Sequence, residues 1–203
     1  VNLDELTRNL TEQASIFHIG SLGLTGGEDA LVWEAFAKRA KEQGVKVSLD
    51  PNVRASLIND PSDYRARIER MMAMADILKL SDEDLEWLYD GMRQEQALEA
   101  MLSHTKAEVV VLTKGGEGSS IWHEGSWHDM PSHPLEQLVD TVGAGDTFMA
   151  SMLVWLSQDV QLDNLGSLTL SQKKEMQTYA GQAAARNCER HGCNPPWSNE
   201  LIS

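Results

Sequence analysis

The fold of this chain is decided by the stretch Asp140-Thr141-Val142-Gly143-Ala144-Gly145-Asp146-Thr147-Phe148. An apolar run at helix spacing continues from Phe148 to Leu156, so a helix is predicted to begin at the glycine turn. The N–H groups of Gly143, Ala144 and Gly145 would then lie where unpaired amides and the positive end of the helix dipole attract an anion. Asp146 adds a carboxylate beside that place. A helix cap alone would explain Asp146, but it would not explain the Gly-Ala-Gly turn or Asp140.

Strands and helices alternate along the part of the chain that precedes this turn. Strands are predicted over 14–20, 45–50, 77–80 and 109–113, and helices over 2–13, 28–43, 64–75, 82–89 and 94–104. A hairpin (119–122 with 126–130), a helix from the glycine turn to about 158 and a last helix over 171–190 follow. This order predicts one α/β domain over 1–203, a doubly wound, mostly parallel sheet with helices on both faces.

Several polar residues fall at or just after the ends of predicted strands, namely Asp50, Ser81, Thr113 and the Gly143 turn. Ligands of doubly wound domains bind beyond the carboxyl ends of the strands. The shared position of these residues therefore predicts one ligand site at that edge of the sheet.

Composition excludes several classes of function. The formal charge of −14, from 17 basic and 31 acidic residues, argues against a nucleic-acid-binding face. No apolar run is long enough to span a bilayer, so a soluble protein of the cytoplasm is expected. Cys188, His191 and Cys193 match no common zinc spacing. The G-x-G-x-x-G turn of a Rossmann dehydrogenase is also missing.

Three further stretches each allow two interpretations. Arg54 could hold an anionic or hydroxyl-rich substrate or a nucleotide phosphate, or it could be a surface arginine. The acidic segment from Ser81 to Asp84 could cap a helix or lie near a hydrated Mg²⁺. The glycine-rich segment Thr113–Gly118 lacks Walker spacing and by itself is typical of a hairpin turn.

The stretch from Asp140 to Phe148 resembles the carboxy-terminal signature of the ribokinase-like, or PfkB, carbohydrate kinases, D-[TA]-x-G-A-G-D, at every fixed position. Thr113-x-Gly115-x-x-Gly118 is similar to the nucleotide loop of that family, and Asp50-Pro51-Asn52-x-Arg54 resembles its fructokinase and 2-keto-3-deoxygluconate kinase branch. The resemblance implies a ribokinase-like fold and a kinase that transfers phosphoryl from ATP to a sugar hydroxyl, with fructose as the expected sugar.

The resemblance also implies a role for each matching position. Asp146 would be the base that takes the proton from the sugar hydroxyl, and Gly143, Ala144 and Gly145 would form the anion hole. The residues implied to bind ATP are Thr113, Gly115, Gly118, Ser81 and Asp84, and Arg54 would contact the sugar together with Asp146. A monovalent cation such as K⁺ would lie at Asp140, Val142, Asn187 and Gly192. Asp84 would reach Mg²⁺ through water, although Ser81 and Asp84 replace the Asn and Glu of the family's Asn-x-x-Glu motif.

The resemblance covers this chain but only the later two-thirds of the family pattern. The part without a counterpart would carry the first strands, sugar-contacting residues and the small β-sheet lid, so the lid sheet is expected to be absent here. The full-length protein is expected to be a homodimer. Two alternatives stay open: 2-keto-3-deoxygluconate or another sugar as the substrate, and a truncated nucleotide-binding protein without catalysis.

Overall fold

The computed structural model describes residues 1–10, 14–158 and 162–201. The helices within these residues are α1 (Leu3–Asn9), α2 (Gly27–Glu42), α3 (Pro61–Met74), α4 (Asp82–Leu88), α5 (Gln94–His104), α6 (Ala144–Leu156) and α7 (Leu170–Cys188). The strands are β1 (Ile16–Gly20), β2 (Lys46–Asp50), β3 (Ile77–Ser81), β4 (Val109–Thr113), β5 (Ser119–His123) and β6 (Ser126–Met130). The chain folds into two compact units, Val1–Val110 and Val111–Ser203.

The first unit is built on parallel strands. β1 pairs with β2 so that Gly20 lies opposite Asp50, and β2 pairs with β3 so that Leu49 lies opposite Leu78. Four of the five residues of β2 and of β3 are buried, so both faces of these strands are covered. The carboxyl ends of the three strands therefore lie side by side, and the segments after Gly20, Asp50 and Ser81 begin at one edge.

The second unit combines antiparallel strands with two long helices. β4 pairs with β5, and β5 pairs with β6 so that Trp122 lies opposite Trp127. α6 and α7 pack against each other, and the buried Gln177 of α7 donates from Nε2 to Ser119 Oγ of β5 at 2.8 Å. This packing places the start of α6 and the end of α7 in the same unit.

The strands of the described chain follow the order β1-β2-β3-β4-β5-β6 in one mixed sheet. Three neighbouring strands are parallel and the hairpin strands are antiparallel. The α/β fold class predicted from the alternating pattern is therefore confirmed. The prediction of a single domain over 1–203 stays a prediction, since the chain comprises two compact units.

Most predicted elements are confirmed, with shifts at their ends. α5 and β4 have the predicted bounds, whereas α3 begins three residues earlier, at Pro61, because the Asp60 side chain caps it. β1 is half-buried, so the prediction of a buried strand is wrong for it; the strand lies at one end of the strand order. The predicted end of the first helix at 11–13 and the start of the predicted loop at 159–161 lie outside the described residues.

Candidate active site

The glycine turn opens α6 as the sequence predicts. Gly143 is the N-cap residue with φ 77° and ψ 4°, a left-handed conformation that favours glycine, and α6 begins at Ala144. The Ala144 N–H donates to the Thr141 carbonyl at 3.2 Å, and the Thr147 N–H donates to the Gly143 carbonyl at 2.8 Å. Helix geometry leaves the Gly145 amide in the first turn, where N–H groups lack an intrahelical acceptor. The turn therefore places the Gly145 N–H at the positive end of α6, whereas the Ala144 N–H is engaged by Thr141.

Asp146 is not the cap of this helix. It is the third residue of α6 and is exposed, while the N-cap position belongs to Gly143, which has no side chain. The simpler interpretation of Asp146 as an N-cap is therefore wrong. Its carboxylate lies in the first turn, where the helix dipole favours negative charge.

Asp140 ties the glycine turn to the segment after α7. Its Oδ1 accepts the Val142 N–H at 3.0 Å and its Oδ2 accepts the Gly192 N–H at 2.9 Å. These bonds, the one from Val142 first, hold the pKa of the Asp140 carboxyl below its usual range. The carboxylate is thus ionised at neutral pH and joins two backbone positions 50 residues apart.

The last turn of α7 contacts the same place. The buried Asn187 donates from Nδ2 to the Val142 carbonyl at 2.8 Å, and its Oδ1 accepts the Asn194 N–H at 2.9 Å. The structure therefore brings together Asp140, Val142, Asn187 and Gly192, the four residues implied to hold a monovalent cation. Hard cations prefer carboxylate and carbonyl oxygens. Here both Asp140 oxygens accept backbone amides and the Val142 carbonyl accepts Asn187, so cation binding by these four residues stays a prediction.

Cys193 is a neighbour of the turn that the sequence interpretation did not assign. A Cβ built on Gly143 would lie 2.4 Å from Cys193 Sγ. Cys188 and Cys193 are both free thiols, and Cys193 is exposed. The motif itself contains no signal for this contact, because the two residues are 50 positions apart.

The predicted nucleotide loop connects β4 to β5. Gly115 has φ 52° and Gly118 has φ 102°, and a Cβ on Gly118 would lie 2.1 Å from the Met130 carbonyl oxygen. The Lys114 N–H donates to the Gly118 carbonyl at 2.8 Å, and Lys114 Nζ donates to Asp129 Oδ1 at 2.8 Å. The loop is thus a closed turn between antiparallel strands, as the hairpin interpretation requires, and nucleotide binding by Thr113, Gly115 and Gly118 stays a prediction.

The segment after β2 carries Arg54 in the first unit. Asp50 ends β2, and its Oδ2 accepts a hydrogen bond from Lys79 Nζ of β3 at 3.0 Å, with both side chains 4% exposed. Arg54 itself is exposed and donates from Nη1 to the Val53 carbonyl at 3.4 Å. The guanidinium is therefore accessible to a ligand.

Ser81 and Asp84 form a capping box at the start of α4. Ser81 Oγ accepts the Asp84 N–H at 3.0 Å, and Asp84 Oδ2 accepts the Ser81 N–H at 3.0 Å. Asp84 Oδ1 also accepts the Val53 N–H at 2.7 Å, and the residue is 5% exposed. The capping interpretation of this segment is confirmed. Both carboxylate oxygens are engaged by backbone amides and are largely shielded, so the pair fits metal-bound water poorly; that contact stays a prediction.

Metal-ligand clusters of the usual protein type do not occur among the described residues: no three His, Cys, Asp or Glu side chains converge there. Within the same residues, no helix is both long and apolar enough to cross a membrane.

Comparison with known proteins decides the family. The sequence model of the pfkB family of carbohydrate kinases matches residues 2–200. The chain belongs to this family. Its relatives include a fructokinase of Rhizobium leguminosarum bv. trifolii, 40% identical over 152 residues, which are 74% of this chain and 45% of that protein. A fructokinase of Klebsiella pneumoniae is 31% identical over 151 residues, 74% of this chain and 49% of that protein.

Solved structures show the same fold. A double mutant of the fructokinase from Vibrio cholerae O395, in its fructose, ADP and potassium ion bound form, has a TM-score of 0.82 at 24% identity. The match covers 95% of this chain and 59% of that one. The fructokinase of Xylella fastidiosa with bound ATP has a TM-score of 0.80 at 23% identity, over 94% of this chain and 58% of that one. The pfkB chain thus spans about half the length of the curated relatives above.

Proposed function

We propose that this chain carries the phosphoryl-transfer part of an ATP-dependent sugar kinase, with fructose as the acceptor. The observation that carries the proposal is the Gly143 turn, which opens α6 with backbone donors and sets Asp146 in the first helical turn. Membership of a carbohydrate kinase family and relatives named fructokinase support the same reaction.

The proposed mechanism relies on charge placement. The amides of Gly143, Ala144 and Gly145 would stabilise the oxygens of the transferring phosphoryl group, because developing negative charge is held best by donors that are already in place. Asp146 would accept the proton of the sugar hydroxyl as the phosphoryl group arrives. Its exposure leaves the carboxylate accessible to a substrate. Thr113, Gly115 and Gly118 would line the nucleotide, and Arg54 would contact the sugar.

Two ions belong to the proposal. The carboxylate of Asp140 and the carbonyls of Val142, Asn187 and Gly192 would hold a monovalent cation, K⁺, beside the turn. Mg²⁺ would arrive with ATP and neutralise phosphate charge when bound. The role of the Asp140 network is to hold the backbone of the turn in place.

Two further expectations rest on the family resemblance or on composition. The full-length protein would be a homodimer, which sedimentation would test. The two free thiols favour a reducing compartment, so we place the protein in the cytoplasm.

A phosphorylation assay tests the reaction. ADP release from ATP would be measured with fructose, ribose, 2-keto-3-deoxygluconate and a nucleoside, using this chain and its complete gene product. Fructose is expected to give the highest kcat/KM, and Asp146→Asn is expected to lower this value at least about 100-fold. A different preferred sugar would correct the substrate alone. Tight ATP binding with no sugar-dependent ADP release in the full-length protein would favour the nucleotide-binding protein without catalysis.

A further inference from the structure

The turn after β2 is held by its backbone from several sides. The Pro51 carbonyl accepts the Ser21 N–H at 3.0 Å and the hydroxyl of the buried Tyr64 at 3.4 Å. Asn52 has φ 41°, a left-handed conformation that few non-glycine residues adopt. Asn tolerates this conformation better than most residues, so Asn52 suits the tight turn at this position.

Asp84 also contacts this turn. Its Oδ1 accepts the Val53 N–H at 2.7 Å, and its Oδ2 accepts the Ser81 N–H at the start of α4 at 3.0 Å. One carboxylate therefore joins the turn after β2 to the helix after β3. Because Asp84 is 5% exposed, these charge-assisted bonds are largely shielded from water.

Tyr64 beside the turn stays protonated. Burial raises the pKa of the Tyr64 hydroxyl, and the charges of Asp84 and Asp50 raise it further. A neutral hydroxyl keeps its proton and can continue to donate to the Pro51 carbonyl. The turn is thus stabilised at Pro51 and at Val53, on both sides of the left-handed Asn52.

We propose that Asp84 is a positioning residue: it fixes the backbone of the 51–54 turn through Val53 and thereby sets the Arg54 guanidinium for an anionic or hydroxyl-rich ligand. This inference rests on the proposed function, which gives Arg54 its sugar. It assigns Asp84 to the turn instead of to metal-bound water. The short Asp side chain suits the bridge, since a Glu would carry its carboxylate one bond beyond the Val53 and Ser81 amides.

Hydrogen exchange of the Val53 amide tests the bridge without any need for turnover. Asp84→Ala and Asp84→Glu are each expected to speed this exchange at least about tenfold, because a hydrogen bond to a charged group is lost. Asp84→Asn keeps an oxygen for Val53 and should retain most of the protection. Glu83→Gln, an exposed charge in the same helical turn, serves as the control and should leave the exchange unchanged. Unchanged exchange in Asp84→Glu would overturn the proposal.

Ligand binding tests the effect on Arg54. Fructose 6-phosphate, which presents both hydroxyls and an anion, would be titrated by calorimetry in a buffer with EDTA and again with Mg²⁺. Arg54→Ala and Asp84→Glu should weaken binding of fructose 6-phosphate to a similar extent in EDTA. The double variant should lose no more affinity than Arg54→Ala alone. Asp84→Asn should bind fructose 6-phosphate more tightly than Asp84→Glu.

The positioning role would be overturned if Asp84→Glu bound fructose 6-phosphate more tightly than Asp84→Asn. It would also be overturned if Asp84→Glu weakened binding only when Mg²⁺ is present. If the wild-type chain binds no fructose 6-phosphate, the sugar role of Arg54 in the proposed function fails. The exchange of the Val53 amide then decides by itself whether Asp84 fixes the turn.

Discussion

Cys193 lies against the α-carbon of Gly143. A Cβ at Gly143 would be 2.4 Å from Cys193 Sγ, 2.9 Å from its Cβ and 3.2 Å from its Cα. The segment after α7 thus packs directly on the turn that we propose as the anion hole. Together with the bond from the Gly192 N–H to Asp140, this contact makes the position of the turn depend on residues 50 positions further along the chain.

The first prediction concerns Gly143→Ala. The new methyl group would clash with Cys193, and φ 77° would add about 1–2 kcal/mol of backbone strain for a residue with a Cβ. We expect a loss of unfolding free energy larger than that strain, measured by denaturant titration. When Cys193 is replaced by Gly, the loss of unfolding free energy caused by Gly143→Ala should fall towards the backbone strain alone. An equal cost in both backgrounds would show that the contact with Cys193 does not restrict the turn.

The second prediction separates the chemistry of Asp146 from its effect on folding. Asp146→Asn should lower the rate of sugar-dependent ADP release at least about 100-fold in the full-length protein, because the general base is lost. The free energy of unfolding should change by less than about 1 kcal/mol, since the side chain is exposed and substitutions at the surface usually alter stability little. Glu28→Gln, an exposed acid in the first turn of α2, is the matched control and should alter neither activity nor folding beyond that limit. A fully active Asp146→Asn would rule out the proposed base.

Local patterns predicted most of the secondary structure. The β-branched run over Val109–Thr113 and the helical pattern over Gln94–His104 predicted β4 and α5 to the residue, because burial and periodicity agree there. The start of α3 was missed because the periodic apolar positions begin at Tyr64, whereas the helix begins where Asp60 accepts the Ser62 and Asp63 amides. Helix ends depend on such capping contacts, which periodicity does not contain.

The candidate site was less accessible to local patterns. Glycine spacing and apolar periodicity predicted the Gly143 turn as a helix start, but only the family resemblance linked Asp140 to Gly192. The contact between Gly143 and Cys193 and the bridge from Asp84 to Val53 were not predicted. Each of these joins residues that are distant in sequence, and the relevant side chain is an ordinary polar or small residue in its own segment.

The third prediction concerns pH. The pKa of Asp140 is lowered in the folded chain by the amides of Val142 and Gly192, so its contribution to stability is complete above the unfolded value of about 3.9 and is lost as the pH falls through the folded value. Asp140→Asn should therefore be less stable than the wild type at neutral pH, and the difference should shrink as the pH falls below about 4. Denaturant titrations from neutral to acidic pH would measure this.

Asp90→Asn, at an exposed aspartate in a turn, is the control for the pH series and should keep the pH profile of the wild type. If the difference in unfolding free energy between the wild type and Asp140→Asn stays constant across the pH range, ionisation of the Asp140 carboxylate is not the cause of its stabilising effect.

The last prediction concerns the buried ion pair at the carboxyl ends of β2 and β3. Lys79 Nζ lies 3.0 Å from Asp50 Oδ2, and both side chains are 4% exposed. Lys79→Met should lower the free energy of unfolding by about 3–5 kcal/mol at neutral pH, because it leaves a buried carboxylate without its cation. Lys46→Met is the matched control, because Lys46 is also a lysine in a strand. Its Nζ lies 3.8 Å from Glu108 Oε2, and both side chains are partly exposed. The free energy of unfolding should therefore fall by at most about 1 kcal/mol. The double variant Asp50→Asn with Lys79→Met removes the buried charge and should recover part of the loss. If the double variant is less stable than Lys79→Met alone, the uncompensated charge of Asp50 is not the cause.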